Sequence, residues 1–250
     1  ALISSPQWFR RWLLSFFDGA IVVSQKMKKQ LEELKLLSAK EVFHLPSLPI
    51  GIAKWEACKN TRQRIRKEYG FDEDDFVITH IGHLKKSRGI ETLLAATKDL
   101  DVHIIIAWNG RGAKEGIINY AKSIDYDMTR LKIIGFVNAR EFHSVGDAYV
   151  FPFLYQEGIV EYPLTIQEAM KMKVPVVCSS LPSFKELVAH EQTGLLFEPG
   201  NVEDLKRQIA RLQKNRAFSD KLANNAFDSI NSLFAGISPT NLVGFFMGTK

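Results

Sequence analysis

Three carboxylates, Glu157, Glu161 and Glu168, surround the start of a helix that opens with Pro163-Leu164-Thr165. The first turn of a helix leaves backbone N–H groups unpaired at the positive end of the macrodipole. Pro163 suits the first helical position because it has no N–H to lose, while Leu164, Thr165 and Ile166 can present theirs to a phosphate. A carboxylate repels that phosphate but accepts hydrogen bonds from sugar hydroxyls. Taken singly, each glutamate reads as a capping or solvated residue. Together with the helix start they suit a ligand with a phosphate between polyols, such as a phosphorylated sugar. On a helix beginning near Pro163, Thr165, Glu168 and Met172 share one face, and Glu161 lies just before the first turn.

A second cluster lies upstream. Val77-Ile78-Thr79-His80-Ile81-Gly82 reads as a strand ending in glycine, followed by His83, Lys85, Lys86, Arg88 and Gly89. Alone, this is an ordinary solvated basic loop.

The stretch from Phe151 to Gly200 resembles the donor-binding domain of GT-B glycosyltransferases, in the retaining family 4 group (glycosyl transferases group 1). The residues that carry the resemblance are Glu168-Ala169-Met170, Pro175-Val176-Val177, Lys185-Glu186-Leu187-Val188, and Thr193-Gly194-Leu195-Leu196 through Pro199-Gly200. Its first half departs from the pattern. The family places seven residues between two glutamates, whereas position 160 is Val160 here and Glu161 leaves six before Glu168. The resemblance implies that Glu168 holds the ribose hydroxyls of a nucleotide. It gives Glu161, or Glu157 if the loop is re-routed, the donor sugar and the charge at the reacting carbon, and Glu161 is preferred.

Upstream, the family shows G-R-L followed by K-G, with the Arg and Lys clamping a diphosphate. This chain has Gly82-His83 and Arg88-Gly89. Arg88 is a sound replacement, because a guanidinium holds phosphate with a rigid fork of donors and each charge-assisted bond contributes roughly 1.5–3 kcal/mol. His83 is the weaker clamp, since neutral imidazole offers one donor. The resemblance thus puts Arg88, Lys85 and Lys86 on the leaving diphosphate, together with N–H groups of the helix at Leu164 and Thr165. Phe136 and Val137, after Ile134-Gly135, would meet the nucleobase mainly through backbone groups. Trp108-Asn109-Gly110-Arg111-Gly112 also fits, although a Gly-rich run of this kind more often marks a turn than a ligand loop.

The activity so implied is retaining transfer of a sugar from a nucleoside-diphosphate sugar to a lipid-linked or saccharide acceptor, with no cofactor and no bound metal. Asp125 and Asp127 flank Tyr126, but in a surface loop after a helix. Two other readings stand beside it. The irregular first glutamate and His83 suit a non-catalytic nucleotide-sugar-binding or interaction module, and a sugar-nucleotide epimerase shares the two-domain architecture.

The elements that must position these groups alternate. Strands are expected near 76–81, 103–108, 131–134, 148–152, 174–178 and 194–197, and helices near 89–98, 114–123, 139–146, 164–172, 183–189 and 202–214. That alternation predicts an α/β fold with a doubly wound parallel sheet, Rossmann-like, whose ligands bind beyond the strand C-termini. Residues 1–62 read as the end of an amino-terminal acceptor-binding domain plus linker: a strand at 18–24, a helix near 25–36, a strand at 41–45 and a linker near 46–62. Residues 63–215 form the donor-binding domain and 216–250 a helical crossover segment. A partial first domain implies a piece of a longer protein.

Composition narrows the class. The 250 residues are 46% hydrophobic and 24% charged, with a net charge of +5 and a pI near 9.1, which describes a globular core rather than disorder. Lysines and arginines are interspersed with acids, so anionic small molecules or membrane surfaces are favoured and nucleic acid is not expected. Cys58 and Cys178 lack metal-ligand spacing and read as thiols of a reducing compartment. With neither a signal peptide nor an apolar run of spanning length, the cytoplasm is the expectation. Residues 8–17, WFRRWLLSFF, suit peripheral membrane contact or, preferably, packing against a further domain.

Overall fold

The computed structural model describes residues 6, 8, 9, 12, 19–33, 42–45, 47, 49, 51–57, 59–156 and 162–235. It contains two units, Ala1–Leu48 with Leu233–Lys250, and Pro49–Ser232.

In the first unit, β1 (Ala20–Val22) and β2 (Val42–His44) pair in parallel, joined through α1 (Gln25–Glu33). Ser24 caps that helix, its hydroxyl accepting from the Met27 N–H at 3.1 Å. Val22 and Val42 form the buried centre, with Ala20 and Leu31 against them. Of the segment 8–17, only Trp8, Phe9 and Trp12 lie among the described residues; Phe9 contacts both indoles.

The second unit is built on strands whose two faces are both apolar, the pattern of a parallel sheet covered by helices on each side. It comprises α2 (Lys59–Glu68), β3 (Val77–Leu84), α3 (Ile90–Thr97), β4 (His103–Gly112), α4 (Lys114–Ser123), β5 (Leu131–Ile134), α5 (Ala139–Val145), β6 (Ala148–Phe151), α6 (Leu164–Lys171), β7 (Val176–Ser179), α7 (Pro182–Lys185), β8 (Leu195–Phe197), α8 (Val202–Lys214) and most of α9 (Arg216–Ala235). All six strands are parallel, in the order β5-β4-β3-β6-β7-β8. Ile78, Ile104, Ile106, Val150 and Val177 point into one core with Leu93 and Leu94 of α3, Ile117 of α4 and Leu205 and Ile209 of α8. Their neighbours Val77, Ile105 and Ala107 point the other way, onto Ile65 of α2 and Phe142 and Val145 of α5. The doubly wound expectation therefore describes the sheet.

Four segments differ from the expectation. The helix expected over 183–189 is a single turn, Pro182–Lys185, after which Leu187 and Val188 close back onto the Phe184 carbonyl. The linker near 46–62 contains a short 3-10 turn, Ile52–Lys54, and the start of α2. β3 and β4 run past their expected ends by three and four residues.

Candidate functional site

The strand order reverses between β3 and β6: β4 and β5 are added to one side, β7 and β8 to the other. In open α/β sheets the crevice at this point, beyond the carboxyl ends of the strands, is where ligands bind. Between β3 and β6 only Ile78 with Ala148 and Thr79 with Tyr149 are paired, so the strands part beyond Thr79. His80 fills the parting. Its Nδ1 lies 2.9 Å from the Val150 carbonyl, which can only accept, so Nδ1 carries the hydrogen and Nε2 a bare lone pair. Burial takes this imidazole down to a pKa of about 4, and it is neutral.

The loop leaving β3 carries the basic residues. Gly89 has φ 67°, and a Cβ there would stand 1.8 Å from the Pro152 carbonyl oxygen, so only glycine lets this loop lie on the one leaving β6. The contact is fastened by Leu154 N–H donating to the Ser87 carbonyl at 3.0 Å. The Arg88 guanidinium stacks on Phe153, 4.2 Å from the ring centroid. Lys85 and Lys86 are exposed, and His83 is half-buried beside them. Burial, reinforced by Arg88, Arg111 and Lys85, lowers the His83 pKa, leaving it uncharged near neutrality. Arg111 therefore shares this rim, a residue that sequence reasoning had assigned only to a Gly-rich turn. Among the described residues, no carboxylate pairs with Lys85, Lys86, Arg88 or Arg111.

The far wall is α6. Pro163 precedes its first turn, and the side chains of Leu164 and Thr165 are exposed and half-buried. Glu168 stands one turn on, with 14% of its side chain exposed and Oε2 3.5 Å from Nε2 of the buried His143 on α5. The His143 ring meets Tyr149 edge-on at 5.1 Å. The Tyr149 hydroxyl faces Thr165 and the Ile81 N–H without a well-formed hydrogen bond to either, and burial raises its pKa. His143 and Tyr149 tie Glu168 and Thr165 to the switch point, and no spacing rule could have found them, because their neighbours come from distant elements. Glu157 and Glu161 lie outside the described residues.

At the end of the edge strand β5, Phe136 stands 90% exposed while Val137 packs into the core beneath. Asp127 is engaged locally, accepting from the N–H and hydroxyl of Thr129. At the opposite end of the strands a cavity of about 230 Å³ is lined by Arg62, Asp147, Lys173, Pro175 and Arg216. There Asp147 accepts from Arg62 at 2.6 Å, Arg66 at 3.1 Å and the Val77 N–H at 2.8 Å, an ion-pair cluster that locks strand starts rather than strand ends.

The sequence profile of the glycosyl transferases group 1 family matches residues 61–229. The chain belongs to this family. Relatives include the putative teichuronic acid biosynthesis glycosyltransferase TuaC of Bacillus subtilis, 26% identical over 229 residues, which are 90% of this chain and 55% of TuaC. The O-antigen biosynthesis glycosyltransferase WclY of Escherichia coli is 28% identical over 218 residues, 86% of this chain and 57% of WclY. The chain thus spans little more than half the length of the curated relatives it matches. Among solved structures, HepE of Anabaena in complex with UDP-glucose superposes with a TM-score of 0.73 at 18% identity, covering 93% of this chain and 66% of that one. A glycosyltransferase from Rickettsia africae gives 0.76 at 16% identity, covering 91% and 63%. These likenesses show the fold, the GT-B type of α/β architecture. Among the described residues no helix is long and apolar enough to cross a membrane.

Proposed function

We propose that this chain carries the donor-binding half of a retaining glycosyltransferase that takes its sugar from a nucleoside-diphosphate sugar and passes it to a lipid-linked or saccharide acceptor. The observation that carries the reading is the cationic rim of Lys85, Lys86, Arg88 and Arg111, unpaired with any described carboxylate, set at the switch point across from the α6 N-terminus. A diphosphate supplies the missing counter-charge, and its developing charge on departure is what fixed cations and helix N–H groups stabilise. Glu168, held beside His143 with its carboxylate partly open, takes the ribose hydroxyls in this reading. Phe136 and Val137 border the base, and Gly82 lets the phosphates approach β3. Glu161 takes the donor sugar. HepE, solved with UDP-glucose, supplies the precedent for the ligand class. Trp8, Phe9 and Trp12 are the described part of the segment that suits peripheral membrane contact or packing against a further domain, and both indoles are exposed.

Calorimetric titration with UDP, GDP, ADP and CMP tests the donor site. One nucleotide is expected to bind in the micromolar range, more weakly to Glu168→Ala. Binding to none, or binding indifferent to Glu168→Ala, refutes it. The second reading, nucleotide binding without turnover, is favoured by Val160 where the family pattern has glutamate. Transfer from a labelled donor by the intact protein would exclude it.

A further inference from the structure

His83 occupies the position where the family pattern places a diphosphate-clamping arginine, and it is uncharged near neutrality. The sheet offers a replacement from the neighbouring strand. Gly82 pairs with Trp108 and Leu84 with Gly112, so while β3 advances from 82 to 84, β4 advances from 108 to 112. Asn109, Gly110 and Arg111 are all accommodated opposite the single residue His83. Extra residues in one strand bend it and re-aim a side chain, and such bulges gather beside binding sites.

This bulge is fixed at each of its residues. Gly110 and Gly112 have φ of 81° and 97°, a backbone that side chains rarely allow. A Cβ on Gly112 would stand 2.1 Å from the Leu84 carbonyl oxygen, so the two strands touch there. The Ala113 N–H donates to that same oxygen at 3.1 Å. The Trp108 indole N–H donates to the Arg111 carbonyl at 2.9 Å, and the Arg111 N–H donates to the Asn109 side chain at 3.3 Å. Both bonds hold the Arg111 backbone and leave its side chain exposed, without a carboxylate partner among the described residues. A surface arginine needs no such fastening. An arginine that must meet a ligand at a fixed place does.

We infer that Arg111, carried on the β4 bulge, is a diphosphate-binding residue of this chain and supplies from β4 the positive charge that His83 does not supply from β3. The inference rests on the donor-site reading above. Arg111 and Arg88 then grip the diphosphate from two loops, Arg88 fixed by its stack on Phe153 and Arg111 by the Trp108 bond. Bidentate guanidinium contacts would give the site charge with direction, which a neutral imidazole lacks.

The test titrates the intact protein with inorganic pyrophosphate and with the matching nucleoside, monophosphate and diphosphate. Arg111→Ala is expected to weaken pyrophosphate and the diphosphate by about 10- to 100-fold while leaving the nucleoside unchanged. Arg111→Lys should recover part of the loss. His83→Arg introduced into Arg111→Ala should recover most of it, because charge is restored from the other strand; a merely structural role for Arg111 would not be rescued from position 83. Wild-type affinity in Arg111→Ala overturns the inference and leaves the donor site intact. Pyrophosphate binding that depends on Arg111, without nucleotide binding, would sink the donor reading and uphold the inference. A wild type that binds neither overturns both.

Discussion

Gly89→Ala puts a methyl group where the two loops of the crevice touch. The new Cβ would lie 1.8 Å from the Pro152 carbonyl oxygen, and Cβ contacts under 3.0 Å are essentially never found, so the loops must separate by at least 1.2 Å. Pro152 is anchored by β6 and by the Phe151–Phe153 ring stack at 3.9 Å, so the β3 loop moves instead. That movement breaks the Leu154 to Ser87 bond and lifts Arg88 from Phe153. The φ of 67° adds about 1–2 kcal/mol for any residue with a Cβ. A displacement of this size at a charge-bearing group is expected to weaken diphosphate binding by about 10- to 100-fold. Gly70→Ala is the control. It has nearly the same φ, 68°, and meets nothing closer than the Lys132 Nζ at 3.8 Å, so it shares the conformational cost without the collision. Urea denaturation and diphosphate titration of both variants separate the two effects. If Gly89→Ala binds the diphosphate as the wild type does, or if Gly70→Ala loses as much, the coupling of Gly89 to Arg88 is refuted.

Other outcomes are expected elsewhere in the unit. Asp147→Ala strands the buried Arg66, whose side chain is 3% exposed, and should lower the unfolding free energy by about 3–5 kcal/mol, read from the urea midpoint at constant slope. His80 titrates in the unfolded chain near its ordinary value but in the fold only at about 4, so the unfolded state binds the extra proton between those limits. Stability is therefore expected to be independent of this group above pH 6.5 and to fall by up to about 3 kcal/mol as pH drops toward 4. His80→Gln, which keeps a donor for Val150, should flatten that part of the pH profile of the urea midpoint. Cys178 is fully buried with its thiol pKa pushed up, so an aromatic disulfide reagent should modify it only after unfolding; native-state labelling would contradict its placement.

The sequence was most legible where the backbone obeys a period. The strand at 131–134 and the helices at 114–123 and 202–214 stand where alternation and apolar spacing put them, α8 with its Asn201 cap on the Asp204 N–H. α2 was not legible. Its segment KNTRQRIRKE has almost no apolar stripe, because the face it buries is made of Arg62, Ile65 and Arg66, and those arginines are spent on Asp147 and on carbonyls of α5 and the loop at Asp72. Charged residues that bury by pairing are invisible to a hydrophobic pattern. The basic run at the end of β3 was readable as Gly82, His83, Lys85, Lys86 and Arg88, since they are near neighbours in the sequence. Arg111 and His143 join it only through sheet register and helix packing, which no local spacing encodes.

The convergence on Asp147 also bears on the order in which the chain assembles. Arg62 and Arg66 come before it in the chain, as does the Val77 N–H, whereas Arg216, 3.5 Å from the same carboxylate, comes much later. As synthesis proceeds, Asp147 meets its two closest cations and the start of β3 as soon as β6 emerges. The start of β3, α2 and α5 can then close around one carboxylate before β7 and β8 exist. The later strands add to an edge that is already in place, which keeps loop-closure entropy small at each step. Arg216 arrives last, at the first turn of α9, and latches the finished sheet from behind.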